Sequence, residues 1–98
     1  MPTVIFTPAA RQEFIDAQDW YERESPGLGS RFRAAAAAVV ERIIANPRLF
    51  QVVHKNIRRA LFRRFPYALM FVIESDDNVT VIACFHSSRD PMQWQRRM

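Results

Sequence analysis

The stretch RRALFRRFPYALMFVI, residues 58–73, decides the fold because it joins a basic strand to an apolar one across a turn. Every side chain in residues 67–73 is apolar or aromatic. That pattern predicts a central strand covered on both faces, since a strand with one wet face alternates apolar and polar residues. Four cations stand among the apolar residues before it: Arg58, Arg59, Arg63 and Arg64. Because strand side chains alternate and an unpaired buried guanidinium is costly, at least half of them must reach an open face or edge. There they either bind an anionic partner or remain solvated and pair with Glu74, Asp76 and Asp77.

Length and charge limit what the rest of the chain can be. With 98 residues, 49% of them hydrophobic, the chain is expected to form one compact domain spanning residues 1–98. Residues 1–47 contain 5 basic and 6 acidic side chains, whereas residues 48–98 contain 9 basic and 4 acidic ones. The positive charge therefore lies in the second half, together with the arginine strand.

Cysteine usage and hydropathy predict a cytoplasmic protein. Cys84 is the only cysteine and lies in an apolar run, so we expect a small buried residue and no internal disulfide. No apolar run approaches the roughly 18 residues that span a bilayer, and the N-terminus lacks the pattern of a secretion signal. The sequence contains no metal-ligand cluster and no glycine-rich phosphate loop, so neither a metal nor another cofactor is expected.

Two amphipathic helices are predicted in the first half. A β-branched run at residues 3–6 ends at Thr7 and Pro8, a hydroxyl N-cap followed by a proline at the first helical position. Apolar or small side chains then recur at helical spacing as far as residues 25–27. A second periodic run begins at Leu28 and ends at residues 46–47. Its alanines at residues 34–38 fit a closely packed antiparallel hairpin or reflect helix propensity alone.

The second half predicts a three-stranded meander followed by a short tail. Residues 48–56 are predicted as a connection, and a polar turn at residues 75–78 precedes a strand at residues 79–85. In the tail, Asp90 is expected to cap a short helix that contains Trp94. The order β-α-α-β-β-β predicts an α+β fold, an antiparallel sheet with a two-helix hairpin packed on one face. The other face would be bare, and we expect a partner rather than the Trp94 tail to cover most of it.

An ordered set of short motifs resembles a known family across nearly the whole chain. These are FTPAA at residues 6–10, WYE at 20–22, RF at 31–32, NP at 46–47, RR at 58–59, RFPY at 64–67, His86, RDP at 89–91 and Trp94. Together they are similar to the ParE/RelE superfamily of bacterial toxins from type II toxin–antitoxin systems. The RFPY segment and the spacing from His86 to Trp94 resemble the ParE-like branch, which is associated with plasmid stabilisation.

The resemblance carries expectations about partners and targets. It implies a toxin neutralised by a cognate antitoxin whose C-terminal segment folds against it, and therefore a hetero-oligomer. For the ParE-like branch it implies inhibition of DNA gyrase by binding. The alternative is the RelE-like activity, cleavage of messenger RNA on the ribosome. A third interpretation is a basic protein without toxicity that only holds a partner.

The residues favour binding over RNA cleavage. Cleavage needs a base for the 2′-hydroxyl, a cation for the phosphate and an acid for the leaving oxygen. Where RelE-like toxins often carry an arginine after a strand aromatic, this chain has Ala68, and Trp94, which cannot transfer protons, stands about where their C-terminal tyrosine would. His86 is the one remaining candidate base, but a structural role in which it bonds the tail backbone is favoured over catalysis. Charge pattern and resemblance together assign partner or target binding to Arg58, Arg59, Arg63, Arg64, Tyr67, Arg89 and Trp94.

Overall fold

A computed structural model describes residues 3–75 and 78–97 and confirms the α+β class. The elements in chain order are β1 (Val4–Phe6), α1 (Pro8–Glu24), α2 (Leu28–Ala45), a 3-10 turn (Pro47–Leu49), β2 (Val52–His54), β3 (Ile57–Leu61), β4 (Tyr67–Ile73), β5 (Val79–His86) and α3 (Met92–Gln95). The strands form one sheet in the order β1-β5-β4-β3-β2. As predicted, the α1–α2 hairpin packs on one face of this sheet.

The sheet differs from the predicted outline in two details. The segment predicted as a connection contains β2, a three-residue strand antiparallel to β3 that is too short to give a periodic signal. β1 pairs in parallel with β5, so the sheet is mixed rather than fully antiparallel. Such a parallel pair requires a crossover, which the two helices and the meander provide. Asp76 and Asp77 of the predicted polar turn lie outside the described residues.

The helix ends form as the sequence predicts, and glycine sets the distance between the helices. The hydroxyl of Thr7 accepts a hydrogen bond from the backbone N–H of Ala10 at 3.1 Å, so Thr7 is the N-cap of α1. Gly27 joins the helices with φ of 89°, a left-handed conformation that glycine adopts without strain. At Gly29 a Cβ would lie 2.9 Å from the carbonyl oxygen of Gln18, so α1 and α2 approach too closely there for any side chain.

The centre of the sheet is β4, whose inner five residues are buried. Its odd-numbered side chains face the helices and its even-numbered ones face the opposite side, which confirms a strand covered on both faces. On the helix side, Phe32 of α2 lies 5.1 Å from the rings of both Phe62 and Tyr67. This aromatic packing ties α2 to the end of the sheet where β4 begins.

The second face of the sheet is not bare, which corrects the expectation drawn from the sequence. Trp94 packs against this face, lies 6.1 Å from Phe85 between ring centroids and is only 4% exposed. Seven strand residues of this face are exposed by no more than 5%, whereas Leu61 at the end of β3 is 54% exposed. The seven are Ile57, Ala68, Met70, Val72, Ile82, Ala83 and Phe85. The predicted cap forms as well, since a carboxylate oxygen of Asp90 accepts from the backbone N–H of Met92 at 2.9 Å. The tail therefore does what a partner was expected to do.

A pair of charged side chains fastens this tail to the free edge of β5. The pairing of β1 with β5 ends at Val81 of β5. Beyond Val81, β5 has no neighbour on that side among the described strands. Arg97 donates to the carbonyl oxygen of Ile82 at 2.7 Å and to the carboxylate of Glu13 at 2.8 Å. The same carboxylate accepts from the backbone N–H of Cys84 at 3.1 Å. These two side chains, here called the edge clasp, satisfy backbone groups that a strand would otherwise have to pair.

Candidate functional site at the strand ends

A cavity of about 560 Å³ opens where β4 begins and β5 ends, beside the second half of α1. We call it the strand-end pocket. It brings together three of the residues that the sequence singles out: Tyr67, His86 and Arg89. Helix α1 contributes its other wall through Asp16, Trp20 and Arg23.

The strands and helix α1 position these side chains by their regular periods. Tyr67 and His86 are directly opposite each other in the antiparallel β4–β5 pair, and their rings meet edge to face at 5.0 Å. Asp16, Trp20 and Arg23 follow each other at helical spacing, so they lie on one face of α1. Trp20 is 50% exposed even though its ring meets Tyr21 at 5.0 Å. A large aromatic surface is therefore available to a partner at the mouth of the pocket.

The pocket is mostly cationic, with phenol groups that stay protonated. Arg23 and Arg89 contribute two positive charges and Asp16 one negative charge, and that carboxylate accepts from the side chain of Gln12 at 2.8 Å. Burial, and to a smaller extent Tyr21, raises the pKa of Tyr67 above its usual value of 10.0, although Arg89 acts in the opposite direction. At neutral pH Tyr67 is consequently a hydrogen-bond donor rather than a base.

The hydrogen bonds of His86 also limit proton transfer. Its Nδ1 accepts from the backbone N–H of Ser88 at 3.1 Å, and the Ser88 hydroxyl lies 2.7 Å from the same atom. In the neutral ring the proton must then lie on Nε2, which donates and cannot act as a base. With the proton on Nδ1 instead, the bond from the backbone N–H of Ser88 would be lost, and the Ser88 hydroxyl would accept rather than donate. The pocket thus offers donors, cations and aromatic surface for recognition.

Comparison of the sequence with models of known protein families identifies the family of this chain. A family model described as "ParE toxin of type II toxin-antitoxin system, parDE" matches residues 4–91. The chain belongs to the ParE toxin family. A chain in the structure of the chromosomal ParDE TA system from P. aeruginosa has a similar fold, with a TM-score of 0.60 and 15% identity over 88% of this chain and 96% of that one. No curated protein matches the sequence.

Next to the strand-end pocket, the β3–β4 turn of this ParE-family chain carries two more of the singled-out arginines. Arg63 and Arg64 are exposed and line a shallow cavity of about 610 Å³ over α2, which shares Pro66 with the strand-end pocket. Arg64 has φ of 68°, an unusual left-handed backbone for a residue with a side chain. The turn therefore extends the cationic surface from Arg89 toward α2.

The other singled-out residues lie elsewhere. Arg58 faces the helix side of the sheet, where its guanidinium donates to the carbonyl oxygens of Arg48 at 3.1 Å and Phe50 at 2.7 Å. Arg58 is thus half-buried, whereas Arg59, Arg63 and Arg64 are exposed, in line with the expectation that at least half of the four reach an open face or edge. Arg59 points to the opposite face, is exposed and donates to Gln51 at 3.3 Å. Trp94 is buried in the second-face core rather than at a binding surface.

The sequence did not indicate that α1 supplies half of the pocket of this family member. In the sequence, Asp16 and Arg23 have the pattern of solvated charges on the polar face of an amphipathic helix. The signal that could have found them is their spacing around Trp20, an aromatic residue that lies off the apolar stripe of α1. The local sequence pattern does not determine which end of the sheet this face of α1 packs against.

The described residues outside these cavities show neither a reactive cysteine nor a metal site. Burial raises the pKa of Cys84 to about 12, with Glu13 adding to the shift, so the thiol stays protonated and is not a nucleophile. Across residues 3–75 and 78–97, no three side chains among His, Cys, Asp and Glu converge in a way that could hold a metal ion. Of the described helices, none combines the length and the apolar character that crossing a membrane requires.

Proposed function

We propose that this chain is a toxin held inactive by a cognate antitoxin, and that the free toxin inhibits DNA gyrase by binding it through the strand-end pocket. Family membership supports the toxin role. The observation that carries binding rather than catalysis is that both candidate bases lining the pocket already accept hydrogen bonds, His86 at Nδ1 from Ser88 and Asp16 from the side chain of Gln12. Arginines remain protonated at any accessible pH and cannot replace them.

The pocket has the composition of a protein-binding hot spot. Aromatic residues and arginine dominate the binding energy of protein interfaces. Truncating a central one to alanine often costs about 2 kcal/mol or more, which weakens binding about thirtyfold. Trp20, Arg23 and Arg89 are exposed side chains of this kind that line the pocket. A gyrase surface with a carboxylate next to an apolar group would complement them.

Gyrase assays with purified components test this proposal. We expect the native chain to inhibit supercoiling or to trap gyrase–DNA cleavage complexes, and the double variant Trp20→Ala with Arg89→Ala to require at least roughly tenfold more protein for the same effect. Arg96→Ala, an exposed arginine outside the pocket, is the matched control and should behave like the native chain. Circular dichroism establishes that all variants are folded. Equal inhibition by the double variant would exclude the pocket, and no inhibition by the native chain would exclude gyrase as the target.

Ribosome-dependent cleavage of messenger RNA is the second candidate, because one observation favours it. Tyr67, His86 and Arg89 meet in a single pocket, and a phenol, an imidazole and a guanidinium could serve as acid, base and phosphate ligand. For this reaction His86 would have to exchange its bond to Ser88 for one to the 2′-hydroxyl. Mapping new 5′ ends on translating ribosomes, with His86→Ala as the control, distinguishes the two functions.

A further inference from the structure

The outer edge of β1 presents unpaired backbone groups at the margin of the sheet. β1 is the outermost strand and pairs only with β5 in the sheet as described. The carbonyl oxygen of Thr3 accepts from Val79 at 2.8 Å, and the N–H of Thr7 donates to Val81 at 2.9 Å. Since the polar groups of a strand point alternately to its two sides, those of Val4 and Phe6 must point away from the sheet. An added strand would find donors and acceptors there.

An apolar groove of about 650 Å³ runs beside this edge. Phe6 and Phe14 form its floor, with their rings 6.4 Å apart. Ile15 on α1 and Ile5 on β1 are exposed by 36% and 61%, which is high for large apolar side chains next to a free strand edge. Natural proteins usually protect such an edge with charge or with a covering segment, so a bare apolar edge marks a binding surface or an aggregation site.

The charges around the groove are of one sign. Arg11 on α1 and Arg33 on α2 line it, and none of its lining residues carries a carboxylate. Glu13, the acidic residue closest to Arg11 along α1, is directed to Arg97 and Cys84 in the edge clasp. An occupant with carboxylates would therefore meet two cations and no competing anion.

We infer that an extended, acidic and apolar segment of the antitoxin binds here as a sixth strand next to β1. The inference rests on the proposed neutralisation by an antitoxin and names the surface and the chemistry of contact. The backbone of the segment pairs with Val4 and Phe6, every second side chain is apolar and enters the groove over Phe14, and Asp or Glu residues reach Arg11 and Arg33. Main-chain bonds then supply affinity, and the groove supplies specificity.

The test uses the full chain and the protein encoded by the neighbouring gene, its candidate antitoxin. Val4→Pro removes an outward N–H that the sheet does not use and keeps an apolar side chain at a position that packs partly against the core, and proline is tolerated at such an edge position. We expect Val4→Pro to melt like the native chain and to bind the antitoxin roughly fivefold or more weakly. Arg11→Glu with Arg33→Glu should weaken binding roughly tenfold or more through like-charge repulsion, whereas Arg96→Glu should not.

Hydrogen exchange gives an independent readout of the same contact. Formation of the complex should slow amide exchange at Val4 and Phe6 by at least about tenfold, because these N–H groups become paired. If the antitoxin binds both variants with native affinity, or if these two amides stay unprotected, the sixth strand is wrong while neutralisation still holds. If the antitoxin does not bind the native chain at all, the proposed neutralisation fails and this inference fails with it.

Discussion

Breaking the edge clasp by replacing Glu13 with alanine is expected to destabilise the fold and to release the C-terminal tail. The carboxylate accepts from Arg97 at 3.0 and 2.8 Å and from the N–H of Cys84 at 3.1 Å. Hydrogen bonds to charged groups contribute about 1.5–3 kcal/mol each when well shielded. The side chains of Arg97 and Glu13 are 27% and 26% exposed, so water replaces part of this energy. We expect a net loss of about 2–3 kcal/mol, or roughly 10 to 20 °C in Tm.

A double-mutant cycle with Arg97→Ala measures the clasp itself. Urea unfolding of the two single variants and the double variant should give a coupling energy of about 1–2 kcal/mol, since each single change already removes the shared contact. The matched control is Glu41→Ala, an exposed glutamate on α2 that should change stability by less than about 0.5 kcal/mol. Effects of Glu13→Ala and Arg97→Ala that add to within about 0.5 kcal/mol would refute the reasoning.

Three further predictions concern stability. Arg58→Ala should cost about 1–3 kcal/mol because its guanidinium holds two loop carbonyls, whereas Arg59→Ala should cost less than about 0.5 kcal/mol; equal costs in urea unfolding would contradict the assignment of their faces. Gly29→Ala should cost about 1–3 kcal/mol because a Cβ has no room between the helices, and a thermal melt no lower than that of Ser30→Ala would contradict this packing. Burial holds the pKa of Cys84 at about 12, so above its ordinary value the unfolded thiol ionises first and stability falls with rising pH. Between pH 9 and 10 the native chain should therefore lose about 1 kcal/mol more than Cys84→Ala, and equal losses would contradict the shift.

The parts of the fold that were predictable are those that local chemistry decides. Thr7 and Pro8 begin α1 because a hydroxyl cap and a fixed φ act within one turn of the chain. The apolar run of β4 identifies the central strand because burial on both faces requires it. The parallel pairing of β1 with β5 and the packing of Trp94 were not predictable, since both depend on contacts between distant parts of the chain. The tail from residue 91 onward has the same local sequence pattern whether it folds back onto the sheet or binds a partner.

In the strand-end pocket too, local features were predictable and contacts between distant parts of the chain were not. The antiparallel register places Tyr67 opposite His86, and both residues stand out in the sequence as an aromatic strand start and a strand-end histidine. Arg23 and Asp16 could not be assigned to the pocket, because helical spacing gives a common face but not the element that this face meets. The faces of Arg58 and Arg59 could not be assigned from the sequence for a related reason. Two adjacent arginines must point to opposite faces, and only the register with β4 shows which one points to the helix side.

The most direct test of the toxin assignment is to express the chain in bacteria with and without the protein of the neighbouring gene, and to map both gyrase–DNA cleavage complexes and messenger RNA ends. We expect growth arrest by the chain alone, accumulation of gyrase-linked DNA breaks, intact messenger RNA and recovery when the neighbouring protein is present. Codon-phased cuts in messenger RNA that disappear with His86→Ala, without gyrase-linked breaks, would contradict it.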